Sequence, residues 1–260
     1  MIVLRSGLQI PTSLTTCLWS VLSPTTRHFM RGFAGHRDTS RGKRQISKAL
    51  PGYYDKHYIY SFNNDSVSAT GNILSHFDRY LSLDKNESLA LTSRLTERKI
   101  KRKQYILQEG DICKYCTYVV AGCFKMYGVD KSGTEHNLLF AAEDDWLADF
   151  DSLHKERSSK LFIEAIEPST ILQISKGDLW YLYTNHPKFN RIFRVIIEDK
   201  YIELQNRLLQ TFSTTAYERY ESFLEQYPKL SVRLPNTQIA SYLGITPEFL
   251  SKIRKDRSGK

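Results

Sequence analysis

Three groups of side chains in this sequence have the types and spacing that chemistry needs. Cys113, Cys116 and Cys123 form a C-x2-C-x6-C set, with Cys17 far upstream. Clustered thiolates ligate iron–sulfur clusters. Glu143, Asp144, Asp145, Asp149 and Asp151 form an acidic run, a composition that suits a hard cation or a paired general acid and base. Near the C-terminus, Thr237, Thr246, Pro247, Glu248, Ser251, Lys252, Arg254 and Lys255 bring hydroxyls, a carboxylate and cations to one short stretch. Such groups hydrogen-bond base edges and phosphates.

The elements that carry these groups decide between them. From Gln104 to Ser175 the pattern is one of short β-prone runs: Tyr105–Leu107, Cys116–Val120, Cys123–Tyr127, His136–Phe140, Phe162–Ile166 and Thr170–Ile174. Turn signals separate them at Glu109-Gly110-Asp111, Ala121-Gly122 and Asp130–Gly133. That spacing predicts an antiparallel barrel or roll within an α+β fold. The three cysteines then fall on strands whose alternating faces scatter them, so buried apolar thiols are the expectation and no iron–sulfur cluster is. The acids sit between strands with no Gly-rich loop and no metal-ligand spacing, and His136 and His154 are isolated, so a solvated acidic loop is expected. No nucleophile–base–orienter set occurs, and no enzyme activity is expected.

Helical periods flank the strands. Ile73, Phe77 and Leu81 form one, and Leu89, Leu91 and Leu95 a second, with Asp84 or Asn86 as its N-cap. The basic run Arg98–Lys103 reads as a solvated connection. Leu179–Tyr183 gives one or two turns. Phe189–Phe212 keeps a helical period without Pro or Gly, and Phe193, Ile197, Leu204 and Leu208 form a stripe. So wide an apolar surface must bury two faces: one can lie on its own domain, and for the other a second copy of the chain is favoured over burial wholly within one subunit. Thr215–Tyr227 is a further amphipathic helix ending before Pro228.

Residues 236–255 then fit a helix-turn-helix at each position with a steric demand. Ile239 and Leu243 point inward, Ala240 is small where the helices cross, and Gly244 takes the left-handed turn. Ile245 plugs the corner, Thr246 caps the second helix, and Pro247 suits its first turn. Leu250 and Ile253 face the small core, which leaves Pro247, Glu248, Ser251, Lys252 and Lys255 outside. A second helix of this kind enters the major groove. There Lys252 donates to guanine and Glu248 accepts from cytosine. Ser251 reaches a base or a phosphate, and Thr237, Thr246 and Arg254 bind the backbone.

Bulk properties agree with a folded regulator of nucleic acid. The 260 residues are 41% hydrophobic and 25% charged, with 16 Tyr and 13 Phe to build a core. Net charge is +9, and residues 1–70 hold nine Lys/Arg against three Asp/Glu, so the body is nearly balanced. The local basic patch at Lys252, Arg254, Lys255, Arg257 and Lys260 is the better electrostatic clue. Four cysteines and no apolar run of membrane length point to a cytoplasmic protein with no membrane partner. Residues 1–70 are expected to be a disordered extension or to precede the true start, for which Met30 is an alternative. Their Ser/Thr/Arg-rich composition resembles a targeting segment, but Pro11, Ser13, Thr15 and Thr16 interrupt its apolar part. The remaining boundaries are a roll over 71–188, a dimerisation helix over 189–212 and a helix-turn-helix domain over 213–260.

This order of parts resembles the Crp/Fnr family of bacterial transcriptional regulators, in the short forms of Bacteroidetes-type genomes. The likeness spans roughly residues 72–256. It is carried by Leu107-Gln-Glu-Gly-Asp111, Val120-Ala-Gly-Cys123, Ile163-Glu-Ala-Ile-Glu167, Glu218-Arg-Tyr220 and Ile239-Ala-Ser-Tyr-Leu-Gly-Ile-Thr-Pro-Glu248. It implies a cyclic-nucleotide-binding-like roll and a homodimer on a palindromic double-stranded DNA site. It also implies RNA polymerase as a further partner and a small-molecule effector. The family's base-reading positions fall on Pro247, Glu248 and Lys252. Proline cannot hydrogen-bond a base, so a different DNA sequence is expected, and no full β-wing follows the second helix. The family's phosphate cassette, a Phe-Gly-Glu turn followed by Arg-Ser/Thr-Ala, is matched poorly by Phe140–Asp149, which has no Gly and several acids. Glu143, Arg157 and Ser158 are what remains of it, so cyclic AMP is not the expected cofactor. The alternative reading is a ligand-binding signalling module without sequence-specific DNA binding.

Overall fold

A computed structural model describes residues 68–258. The proposed N-terminal extension and Cys17 lie outside them, apart from the extension's last few residues, Ser68–Thr70.

Two helices open the described chain, α1 (Ala69–Asp78) and α2 (Lys85–Thr92). Asp84 caps α2 with a full capping box: its side chain accepts from the Glu87 amide, and Glu87 answers to the Asp84 amide. Helix α2 ends before Leu95 and leaves Leu89 67% exposed. Of the expected leucine stripe only Leu91 is buried, because an eight-residue helix has room for one inward turn.

Eight strands follow: β1 (Thr96–Ile100), β2 (Tyr105–Leu107), β3 (Tyr115–Ala121), β4 (Phe124–Val129), β5 (Glu135–Ala141), β6 (Trp146–Leu147), β7 (Phe162–Ala165) and β8 (Ser169–Ser175). They pair antiparallel in two four-stranded sheets, ordered β1-β8-β3-β6 and β2-β7-β4-β5. The basic run Arg98–Lys103 is therefore not all connection. Its first half is β1, an edge strand among the described residues that pairs with β8, with Arg98 donating to Gln173 at 2.9 Å. Exposed cations along an edge discourage further strand pairing. Gly122 takes φ +104° between β3 and β4. A Cβ there would lie 2.0 Å from Ser169 Oγ, so the turn requires glycine on both counts.

Strand β6 and the short helix α3 (Phe150–Lys155) behind it are too brief for periodicity to reveal. Helix α4 (Lys176–Asn185) is longer than its apolar residues suggest, since Ser175 caps it and extends it N-terminally. Helix α5 (Pro187–Ser213) runs 27 residues, about 40 Å. Phe189, Ile192, Phe193 and Ile196 bury its first half in the roll core with Phe77, Tyr118 and Trp146. Its second half leaves Leu204, Leu208, Leu209 and Phe212 more than half exposed.

Helices α6 (Ala216–Gln226), α7 (Leu230–Arg233), α8 (Asn236–Leu243) and α9 (Pro247–Ser258) complete the chain. Their core joins Tyr220, Phe223, Leu230, Ile239, Leu243, Leu250 and Ile253 to Cys123 and Phe140 of the roll. Helix α8 lies along β5, the outer strand of its sheet. Asn137 donates its amide to Ser241 Oγ at 3.1 Å and its side chain to the Gln238 carbonyl at 3.0 Å, while Ser241 donates to the Glu135 carbonyl at 2.8 Å. Part of the sheet edge is thus satisfied by a helix.

Candidate nucleic-acid interface

The α8–α9 pair is built by short-range chemistry. Gly244 caps α8 at φ +67°, and its N–H and that of Ile245 close back onto Ala240 and Ser241. Thr246 Oγ1 accepts from the Phe249 amide at 3.2 Å and so caps α9. Ile239, Ala240, Leu243, Leu250 and Ile253 are buried. Opposite them, Glu248, Ser251, Lys252 and Lys255 are exposed, as are Thr237 and Thr246, and Pro247 is half-buried. Ser251 donates to the Pro247 carbonyl at 2.9 Å, which keeps its hydroxyl oxygen available as an acceptor.

Arg254 departs from expectation. It does not stand free for a phosphate: Nε donates to the Tyr220 hydroxyl at 2.9 Å and Nη1 to Asn236 Oδ1. One turn on, Arg257 pairs with Glu221 at 2.9 Å. Both arginines are positioning residues that set the azimuth of α9 against α6 and α8. A residue missed from sequence is Phe249, 47% exposed on the first turn of α9. Its spacing from Leu250 and Ile253 already put it off the buried face.

The acidic run is not a solvated loop. Glu143 accepts both nitrogens of the Arg233 fork at 2.9 Å and the Gly122 amide at 2.9 Å, and Arg233 also reaches Glu167. Burial pushes the Glu143 carboxyl up, but those bonds outweigh it and hold it below the ordinary value. Asp144 pairs with Arg79, and Asp145 with Lys200 at 2.9 Å. Burial opposes the Lys200 charge, yet Asp145 and Glu203 raise its pKa above the usual lysine value. Asp149 caps α3 and accepts from Ser159, while Asp151 holds Lys155 and Arg157. The acids do not gather into a cation site: basic partners from distant segments take Glu143, Asp144 and Asp145, while Asp149 and Asp151 are held by groups within ten residues of themselves. Among the described residues no cluster of His, Cys, Asp or Glu suits a metal ion.

A cavity of about 390 Å³ lies where the roll, α5 and α8 meet. Met126, Leu139, Phe150, Leu204 and Tyr242 are among its largely apolar walls, and neither Glu143, Arg157 nor Ser158 lines it. Asp149 is the N-cap of α3, so that helix starts at the end of the Phe140–Asp149 segment matched to the cassette. The two cations on the cavity wall are both engaged: Lys200 by Asp145 and Glu203, and Arg207 by the carbonyls of Leu138, Asn137 and Tyr242. Cys113, Cys116 and Cys123 are free and buried. Burial pushes the Cys116 and Cys123 thiols up to about 12. Cys123 belongs to the core of the terminal helices and the other two to that of the roll, so the three do not converge.

Comparison with known proteins agrees with this architecture. Residues 97–186 match the family described as the cyclic nucleotide-binding domain. No curated protein matches the chain. Among solved structures, FixK2 from Bradyrhizobium japonicum is similar at 20% identity and TM-score 0.56, over 62% of this chain and 83% of that one. CooA from Carboxydothermus hydrogenoformans, in a mutant form, is similar at 17% identity and TM-score 0.57, over 72% and 84%. A Eubacterium rectale protein described as a transcriptional regulator of the Crp/Fnr family is similar at 14% identity and TM-score 0.56, over 69% and 85%. At these identities the likeness is one of fold. No helix among the described residues is long and apolar enough to cross a membrane.

Proposed function

We propose, for a chain that carries a cyclic nucleotide-binding domain on the fold of Crp/Fnr regulators, that it is a transcriptional regulator rather than an enzyme and reads double-stranded DNA through α9. The observation that carries this reading is the two-sidedness of α9, with Leu250 and Ile253 buried and Glu248, Ser251 and Lys252 exposed. Lys252 donates to guanine and Glu248 accepts from cytosine. Ser251, Thr237, Thr246 and Lys255 supply further base or phosphate contacts. The bare apolar second half of α5 supports a homodimer, with that stripe as its seam. RNA polymerase is the partner that the regulator then engages.

The cavity supports an effector that is apolar. A cyclic phosphate needs a cation, and the cations on the cavity wall are committed elsewhere. Cyclic AMP is therefore not part of this proposal.

The test is selection from a random duplex library with the full chain, followed by fluorescence anisotropy. The expected product is a two-fold repeated motif with half-sites about 10 bp apart. Glu248→Ala/Lys252→Ala should weaken it by 2–6 kcal/mol per half-site, at roughly 1–3 kcal/mol per base contact. Leu204→Asp/Leu208→Asp should sediment as a monomer and bind half a site. A library without an enriched motif refutes the DNA reading and favours a signalling module without sequence-specific DNA binding. A wild-type monomer refutes the dimer.

A further inference from the structure

Helix α9 is held along the side that carries Leu250 and Ile253. Leu250 and Ile253 are buried, Arg254 is tied to Tyr220 and Asn236, and Arg257 is tied to Glu221. At about 100° per residue these four point the same way, so the azimuth of every other residue on the helix follows. Glu248 and Lys252 stand opposite. Phe249 stands on the flank beside Lys252, three residues before it, which makes the two neighbours on the helix surface. A single exposed apolar side chain means little by itself. Within α8 and α9, however, Phe249 is the one large apolar residue that is exposed, and it lies on the turn that leads into the groove. Its amide is already used by Thr246 Oγ1, so its Cα is fixed and only the ring remains to make contacts.

A phenyl ring makes no hydrogen bond to a base edge. The apolar feature of the major groove is the thymine C5-methyl group. Three residues advance about 4.5 Å along a helix, close to one base-pair step of about 3.4 Å. We propose that Phe249 is a specificity-determining residue that packs on the thymine methyl of the base pair next to the one read by Lys252. This inference rests on the DNA-reading proposal above and adds a base preference that hydrogen bonding alone does not supply.

Replacing thymine by deoxyuridine removes that methyl and nothing else. Each thymine of the selected half-site is replaced in turn, and binding of the full chain is followed by anisotropy. Wild type should lose about fourfold per half-site at one thymine, the fold-change equivalent to about 0.8 kcal/mol for one buried carbon. That thymine should neighbour the base pair whose discrimination disappears in Lys252→Ala. Phe249→Ala should bind thymine and uracil sites equally, with an unchanged unfolding midpoint. Phe249→Leu, which keeps an apolar contact, should retain part of the preference and carries the comparison if the alanine variant binds too weakly. Uracil tolerated at every position overturns the proposal, and so does a thymine preference that persists in Phe249→Ala. Failure to select any motif is a different result: it removes DNA reading itself, and this inference falls with it.

Discussion

The contact between Arg233 and Glu143 ties helix α7 to the loop that follows β5, and its strength can be measured. The guanidinium meets both carboxylate oxygens at 2.9 Å, and a second acid, Glu167, shares Nη2. The side chains are 25% and 30% exposed. Exposed pairs contribute about 0.2–1 kcal/mol, and breaking a fully buried pair costs about 3–5 kcal/mol. A bidentate pair at intermediate burial should lie between, near 2 kcal/mol of coupling. The assay is a double-mutant cycle of Arg233→Met, Glu143→Gln and the double variant, by urea unfolding at neutral pH. The coupling corresponds to about 4–8 °C in thermal midpoint for a chain of this size. Its pH dependence has a definite sign. The folded Glu143 pKa is depressed below the ordinary 4.5, because Arg233 and the Gly122 amide favour the carboxylate more than burial disfavours it. The stabilisation is therefore complete above the unfolded value and lost as pH falls through the folded one. A coupling below about 0.5 kcal/mol at neutral pH, or one that survives in acid well below that range, refutes this account of how α7 is held to the roll.

Two further outcomes follow from the packing. Gly122→Ala meets Ser169 Cα at 2.8 Å as well as its side chain, at φ +104°, and should cost about 3 kcal/mol or more from backbone strain and overlap. Adding Ser169→Gly should restore only part of the thermal midpoint, because the backbone clash and the positive φ remain; full recovery would disprove the strain argument. Cys116 and Cys123, with thiols pushed up to about 12 by burial, should resist iodoacetamide at about pH 8 in the native protein and react once it is unfolded in guanidinium. Site-resolved mass spectrometry reads this directly, and rapid native labelling at Cys116 would contradict its burial.

Much of the candidate site was legible from the order of residues because it is built locally. Gly244 and Thr246 act within four or five residues of themselves, and the inward set Ile239, Leu243, Leu250 and Ile253 follows from helical period alone. The same holds for the Asp84 cap of α2 and the Asp130–Gly133 turn, whose bonds span at most six residues. Arg254 misled because its type and place suit a phosphate, whereas its partners Tyr220 and Asn236 are 34 and 18 residues away. The basic run at Arg98–Lys103 misled because an edge strand tolerates charge that a central strand does not.

The sequence by itself determined the longer helices, the turns, most of the roll-like succession of strands and the exposed face of α9, since each follows from periodicity or from a cap that acts within a few residues. Only the tertiary structure decided what the charges do. Glu143 belongs to Arg233, 90 residues on, and Asn137 to Gln238, 101 residues on. The acids became ion-pair partners instead of a cation site, and the terminal helices came to cover the edge of a sheet. Partner choice at such separations depends on which surfaces packing brings together, and no local pattern encodes that.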